Sequence, residues 1–275
     1  MRISGYVPFY NNATTVLAAV DSLRAQVPPL DEIFAVDDGS TDGGAARLEA
    51  AGVRVLRQPG NLGRGAARAR ATKEARHELV LCCDATNVLP PAFAVAASRW
   101  FEEGAVASVH GRIKNHQAHS PVERWRGRYL FREHMSIPVE RRSCLITYGA
   151  MLRRSAVHQV GGFDPNLRHS EDADLGNRLL RAGFEVVYDP LLPVESIARN
   201  GLFQILERYW RWNVGVTENV LFKVYLKSVW YALRSMALPD LIRGEPGVAA
   251  ISLFCPHYCF AKSIGRRLSG RAQIT

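Results

Sequence analysis

Three groups of carboxylates in this sequence have the types and spacing to do chemistry: Asp37-Asp38, Asp84, and Glu171-Asp172-Ala-Asp174. Asp84 follows the apolar run Leu79-Val-Leu-Cys-Cys83 and precedes a polar turn closed by Pro90-Pro91. A short apolar run ended this way predicts a strand buried on both faces. In open parallel sheets, ligands bind beyond the carboxyl ends of the strands. Asp37 and Asp38 end a second apolar run, Ile33-Phe-Ala-Val36, and open the turn Gly39-Ser-Thr-Asp-Gly43. Paired carboxylates at such an edge can accept the N–H of a base or the hydroxyls of a ribose; a capped strand-to-helix turn is the plain alternative. Glu171, Asp172 and Asp174 crowd the start of a predicted helix, where the helix dipole favours acidic groups. The functional alternative is a general base whose proton affinity is raised by its acidic neighbours, taking a proton from a hydroxyl.

Regular alternation of elements must position these groups. Residues 3–7 form an apolar segment ended by Pro8, and the cap-type residues Asn11-Asn-Ala-Thr14 precede Val16, Leu17, Val20 and Leu23 at helical spacing. A small-residue helix over 45–51, a strand over 53–56 and an Ala/Arg helix after Gly60-Asn-Leu-Gly-Arg-Gly65 continue the pattern. These glycines do not match a dinucleotide fingerprint after the first strand. Four strand–helix alternations predict an α/β fold with a mostly parallel, doubly wound sheet and its acidic turns along one edge. Beyond Pro91 the alternation loosens. A helix is expected over 93–101, a strand over 106–113, a polar, basic and aromatic loop with a short helix over 114–140, and a return to the sheet over 145–152. A turn at Gly161-Gly-Phe-Asp-Pro165, a helix over 172–182 stopped by Gly183 and a last strand over 184–188 follow. Aromatic helices occupy the chain from Gly201, with Pro239 and Gly244-Glu-Pro-Gly247 as breaks. The expected division is a domain of residues 1–198 and a basic, aromatic helical extension of residues 199–275.

An apolar share of 47% and a charged share of 22% belong to a globular chain, not a disordered one. The net charge of +9 is uneven: residues 199–275 hold eleven Lys/Arg against four Asp/Glu, so +7 of it lies there. That suits an anionic partner: a phosphorylated substrate, an acidic membrane surface or nucleic acid. Zinc spacings, RNA-recognition aromatics and a helix-turn-helix are missing, so no nucleic-acid partner is expected. Cys82 and Cys83, neighbours in a strand, point to opposite faces and read as small buried residues. Cys255 and Cys259 flank His257 without a second ligand pair, a weak case for zinc. His116 and His119, in a polar loop, read as solvated. The longest apolar run, 248–261, is too short to span a bilayer, although helices mixing aromatics with Lys and Arg suit the surface of an anionic membrane. With the first strand starting within three residues of the N-terminus, no signal peptide is expected, and the setting is a reducing cytoplasm with peripheral contact at the inner face of the membrane.

Together the pieces resemble a family. Val7-Pro-Phe-Tyr-Asn11, Asp37-Asp-Gly-Ser-Thr-Asp42, Asn61-Leu-Gly63 with Ala67-Arg68, Asp84, Gly161-Gly-Phe-Asp164 and Glu171-Asp-Ala-Asp-Leu175 follow, in order and spacing, the motif series of family 2 glycosyltransferases of the GT-A fold. The resemblance covers roughly residues 3 to 190. It implies that Pro8, Tyr10, Asn11, Asp37, Asp38, Asn61, Gly63, Arg68 and Asp84 bind the donor nucleotide, with Asp37 and Asp38 at the base. Asp84 matches the first carboxylate of an Asp-x-Asp element at the sugar diphosphate, and Asp172 the base of the catalytic Glu171-Asp172 pair. Tyr148 and Gly149 resemble the acceptor-side strand. Arg208-Tyr-Trp-Arg-Trp212 resembles an element of polysaccharide-building members, placing Arg211 and Trp212 at the acceptor or diphosphate; an aromatic amphipathic helix is the alternative.

One departure bears on the cofactor. The third position of Asp-x-Asp should be acidic but is Thr86, and Glu195-Ser-Ile-Ala-Arg-Asn200 lacks the usual histidine ligand. Mg²⁺ and Mn²⁺ want anionic oxygens, so Asp84 alone binds either weakly. Three outcomes stay open: a metal held mostly by the diphosphate, a metal-free enzyme with Arg64, Arg68 or Arg211 as counter-charge, or a silent relative. The expected function is inverting transfer of a hexosyl or N-acetylhexosaminyl group from a nucleoside-diphosphate sugar, UDP-linked before GDP-linked, to a glycan or lipid-linked acceptor in polysaccharide or cell-envelope synthesis. The alternative is a non-catalytic nucleotide-sugar-binding or scaffold protein.

Overall fold

The structure, a computed structural model, describes residues 2–213 and 222–268, with the side chains of 211–213 and 266–268 outside the description. Residues 1–116 and 135–198 form one compact unit, and residues 117–134 with 199–275 a second.

The first unit is a mixed α/β structure built on one eight-stranded sheet in the order β3-β2-β1-β4-β7-β6-β8-β5. Strands β1 (Ile3–Phe9), β2 (Glu32–Asp37), β3 (Arg54–Arg57) and β4 (Leu79–Cys83) run parallel, with α1 (Val16–Arg24), α2 (Gly44–Ala50) and α3 (Arg64–Glu74) between them in sequence. Parallel neighbours put all four carboxyl ends on one edge. The alternation along β4 separates two cores. Leu79, Leu81 and Cys83 join Val16, Val20 and Leu23 of α1, whereas Val80 and Cys82 join Tyr6, Phe34 and Val36 with Ala67, Ala71 and Ala75 on the α3 side. Cys82 and Cys83 therefore face opposite ways, as neighbours in a strand must.

Beyond β4 the sheet turns mixed. A two-residue strand β5 (Asn87–Val88) is followed by α4 (Phe93–Ser98), a 3₁₀ turn (Arg99–Glu102) and β6 (Val106–Asn115). Strand β7 (Gly149–Arg153) lies antiparallel between β4 and β6. Then come α6 (Arg154–Gln159), α7 (Glu171–Arg181) and β8 (Glu185–Ser196), which pairs parallel with β6 and antiparallel with β5. Helix α7 stops at Gly183, whose φ is 88°. Two elements escape the sequence reading. Helix α6 is short and polar, and β5 is too short to show a period; β8 also runs eight residues past the expected end, to Ser196.

The second unit is helical: α5 (Pro121–Trp125) with a π turn (Arg126–Leu130), α8 (Leu202–Asn213), α9 (Phe222–Tyr231), a π turn (Ala232–Ala237), α10 (Leu238–Ile242) and α11 (Pro246–Leu268). Its centre is Trp125, fully buried, with its ring 5.6 Å from those of Tyr129 (tilted) and Tyr209 (edge-on) and donating from Nε1 to Ser252 Oγ at 2.9 Å. Pro239 does not break the chain as expected. It sits in the first turn of α10, and the wider π turn just before it relieves the clash of its ring with the preceding turn. Gly244, with φ of 75°, does stop the helix. Among the described residues, no helix is long and apolar enough to cross a membrane.

Candidate active site

The edge formed by the ends of β1, β2 and β4 is tied together by side chains from the loops that follow them. Asn11, at φ 51°, donates its N–H to Ser40 Oγ at 3.0 Å, and its Oδ1 accepts Thr41 N–H at 2.9 Å. Asp37 Oδ1 accepts Ser40 N–H at 2.8 Å; its Oδ2 makes no hydrogen bond to a described residue. Asp38 is fully engaged. Oδ1 accepts from Gln58 Nε2 and Leu62 N–H, and Oδ2 from Gly63 N–H, each at 2.9 Å. Burial pushes the Asp38 carboxyl up in pKa, and the two backbone donors and nearby Arg168 offset part of that. Asp38 thus anchors the loop that enters α3, while Asp37 keeps an open acceptor. Pro8 sits half-buried in β1 opposite Val36, and Tyr10 is exposed just past the strand end.

Helix α3 carries the next connection. Arg68 is 2% exposed and donates three ways: Nη2 to Asp84 Oδ1 at 2.8 Å, Nε to Glu171 Oε1 at 2.9 Å and Nη1 to Cys82 Sγ at 2.7 Å. Burial opposes the charge on Arg68, and the two carboxylates hold it ionised. Burial likewise pushes the Cys82 thiol up to about 11, so it meets the guanidinium as a neutral partner. Gly63, whose N–H meets Asp38, and Arg68 are five residues apart, about 7–8 Å along a helix. One helix start therefore gathers Asp38, Asp84 and Glu171 from segments up to 133 positions apart.

Two glycines let the loop before α7 reach this helix. Gly65 donates its N–H to the Leu167 carbonyl at 3.0 Å, and a Cβ there would lie 2.5 Å from the same oxygen. A Cβ on Gly63 would lie 2.8 Å from Arg168 Cα. Arg168 in turn bonds both the carbonyl and the side-chain oxygen of Asn61. The Gly60–Gly65 pattern thus seats the loop that delivers Glu171 and Asp172. Those acids then separate in role. Glu171 is buried on Arg68, and Asp174 pairs with Arg178 at 2.6 Å. Asp172 stays half-buried, forms no ion pair with a described residue and accepts a long, 3.4 Å hydrogen bond from Thr147 Oγ1. The acidic crowd read from the sequence is therefore dispersed by pairing.

Other expected residues lie elsewhere. Tyr148 is turned inward, its hydroxyl donating to the Gly111 carbonyl at 2.8 Å, and Gly149 packs under Val194 and Leu89. The backbone carbonyl of Tyr148 does reach the edge, accepting Asp84 N–H at 3.2 Å and Asn87 Nδ2 at 3.0 Å. The side chains of Arg211 and Trp212 lie outside the described residues. Gln58, Thr147 and Arg168 escaped the sequence reading. Gln58 follows β3 and could have been found by the strand-end rule, but Arg168 and Thr147 carry no local signal.

A divalent ion fits poorly here. Asp84 already gives one oxygen to Arg68, Thr86 supplies no second anion, and among the described residues no three His, Cys, Asp or Glu side chains gather as a metal site. His116 instead bonds Glu195 at 2.6 Å, and exposed His257 bonds Tyr225, whereas Cys255 and Cys259 are buried.

Comparison with known proteins supports the fold and the family. The mannosyltransferase PcManGT of Pyrobaculum calidifontis, solved with GDP-Man and Mn²⁺, superposes with a TM-score of 0.58 at 16% identity, over 100% of this chain and 76% of its own. S. aureus TarS residues 1–349, solved with UDP-GlcNAc, gives 0.58 at 14% identity, over 98% and 92%. Both likenesses bear on the fold, which is GT-A, with the helical C-terminal segment present. The pre-mycofactocin glycosyltransferase of Mycobacterium tuberculosis is 28% identical over 208 residues, 71% of this chain and 43% of its own length; the chain thus spans less than half of the curated relatives it matches. The sequence pattern of "Glycosyl transferase family 2" matches residues 4–161, more than half of the chain, and the chain belongs to that family.

Proposed function

We propose that this chain moves a hexosyl or N-acetylhexosaminyl group, with inversion, from a nucleoside-diphosphate sugar to a hydroxyl of a glycan or lipid-linked acceptor. The observation that carries the reading is the convergence, on the start of one helix, of the Asp38 loop, Asp84 and the Glu171-Asp172 turn. Asp37, with its open Oδ2, accepts the N–H of the base, and Asp84 orients the ribose and sugar diphosphate. UDP is favoured over GDP because TarS and a further structural neighbour, GalNAc-T7 (TM-score 0.59 at 14% identity), were solved with uridine nucleotides, although PcManGT was solved with GDP-Man. As the acceptor oxygen bonds to the anomeric carbon, its proton passes to the Asp172 carboxylate and the bond to the nucleoside diphosphate breaks. Glu171, locked on Arg68, fixes the turn that aims Asp172. With Arg68 already committed to two carboxylates, Arg64 is the better counter-charge for the departing diphosphate. It is exposed at the first position of α3 and forms no ion pair with a described residue. We place the reaction in the cytoplasm, at the inner face of a membrane, within polysaccharide or cell-envelope synthesis.

The test is release of nucleoside diphosphate from a panel of UDP- and GDP-sugars, with and without EDTA. Asp172→Asn should reduce release at least about 1000-fold while leaving donor binding within a few-fold; turnover equal to wild type removes Asp172 from the mechanism. Thr86 and the Asp84–Arg68 pair favour one rival, a nucleotide-sugar-binding scaffold, which predicts donor binding without release from any donor.

A further inference from the structure

Helix α9, the π turn and α10 form one continuous rod over residues 222–242. Its inner side supplies the buried Ala232, Met236, Ala237 and Asp240. Asp240 is the only acidic residue in the rod, is fully buried, accepts from the Tyr129 hydroxyl at 2.8 Å and is paired with Arg128. The outer side therefore presents no carboxylate. It presents Phe222, Leu226, Trp230 and Leu233, exposed by 61%, 51%, 62% and 46%. Beside them stand Lys223, Lys227 and Arg234, each one position further along and none paired with a described residue.

We propose that this outer side docks on the surface of an anionic lipid bilayer, with the rod lying in the plane of the interface. Large exposed aromatic and aliphatic side chains gain free energy by entering the acyl boundary. Lys and Arg stems can lie along that boundary while their charged ends reach lipid phosphates. Charge decides against a second copy as the occupant. A two-fold interface built on this face would bring the cluster of Lys223, Lys227 and Arg234 against the same cationic cluster of the other copy. A purely acidic partner would leave the apolar residues unused. The inference gives the membrane part of the functional reading a surface and rests on that part alone, not on the transfer chemistry.

The experiment is flotation of the full chain with phosphatidylcholine vesicles, with or without added phosphatidylglycerol. Wild type should float with the anionic vesicles and hardly at all with phosphatidylcholine alone. Lys223→Gln, Lys227→Gln and Arg234→Gln combined should lower partitioning on the order of 100-fold, from roughly fivefold per cation. Trp230→Ala should weaken binding about tenfold at unchanged net charge. Equal binding to both vesicle types, no binding, or binding indifferent to these substitutions overturns the proposal, as does a dimer that the same substitutions dissociate. Unchanged circular dichroism excludes misfolding of the variants. Donor turnover measured on the same samples separates failure here from failure of the transferase reading, because none of these residues serves catalysis.

Discussion

Replacing Arg68 with Met tests the connection on which the site depends. The substitution keeps the apolar stem and removes the charge, leaving Glu171, 1% exposed, and Asp84, whose side chain is 29% exposed. Water can reach Asp84 but not Glu171, so the buried anion dominates the penalty. Removing one partner of a buried pair typically costs about 3–5 kcal/mol. For a chain of this size that corresponds to a melting point lower by roughly 10 °C. The Arg68→Met, Glu171→Gln double variant has no stranded charge at the buried end. It should recover most of the loss, ending within about 1–2 kcal/mol of wild type. Urea unfolding at neutral pH gives the stabilities. Because the chain forms two compact units, hydrogen exchange in peptides covering α3 and α7 assigns the loss to the right place. The reasoning fails if the single variant loses less than about 1 kcal/mol, or if the double variant is no more stable than the single.

Two further predictions concern the scaffold of the site. His110 in β6 is 1% exposed and lies against Tyr188, and burial pushes its imidazole down to about 4. The unfolded chain binds that proton near pH 6.5, so its contribution is complete above this value and is lost as pH falls from 6.5 towards 4. The loss should reach about 3–4 kcal/mol, and urea midpoints for His110→Gln should vary less with pH across that window; equal slopes would remove His110 as the cause. Gly65→Ala should press a methyl group on the Leu167 carbonyl and part α3 from the loop before α7, at a cost of about 1–3 kcal/mol. Its donor affinity should fall as well, measured by calorimetry with UDP; a variant as stable and as tight as wild type would contradict the close approach.

Much of the fold and part of the site could be read along the chain, because the signals are local. Leu79–Cys83 is apolar without interruption and so had to be a strand covered on both faces, and a strand of that kind in a parallel sheet puts Asp84 at a ligand edge. The same logic located Asp37 and Asp38, and the spacing of Val16, Val20 and Leu23 located α1. Side-chain direction was not local. Arg68 reads as one of several arginines in a basic helix, and only the approach of β4 and α7 encloses it between two carboxylates. Gly63 and Gly65 read as a turn, yet what demands them is the backbone of Asp164, Leu167 and Arg168, far along the chain.

Composition and order of residues thus determined which segments become strands, where acidic turns fall and which family the chain resembles, since burial pattern and turn chemistry act over a few residues at a time. Tertiary structure alone decided which acid is spent on an ion pair and which stays open. Glu171 and Asp172 are adjacent in sequence, but the helix start turns one into a buried guanidinium and leaves the other half-exposed. That difference depends on contacts across more than a hundred residues, and no local pattern carries it.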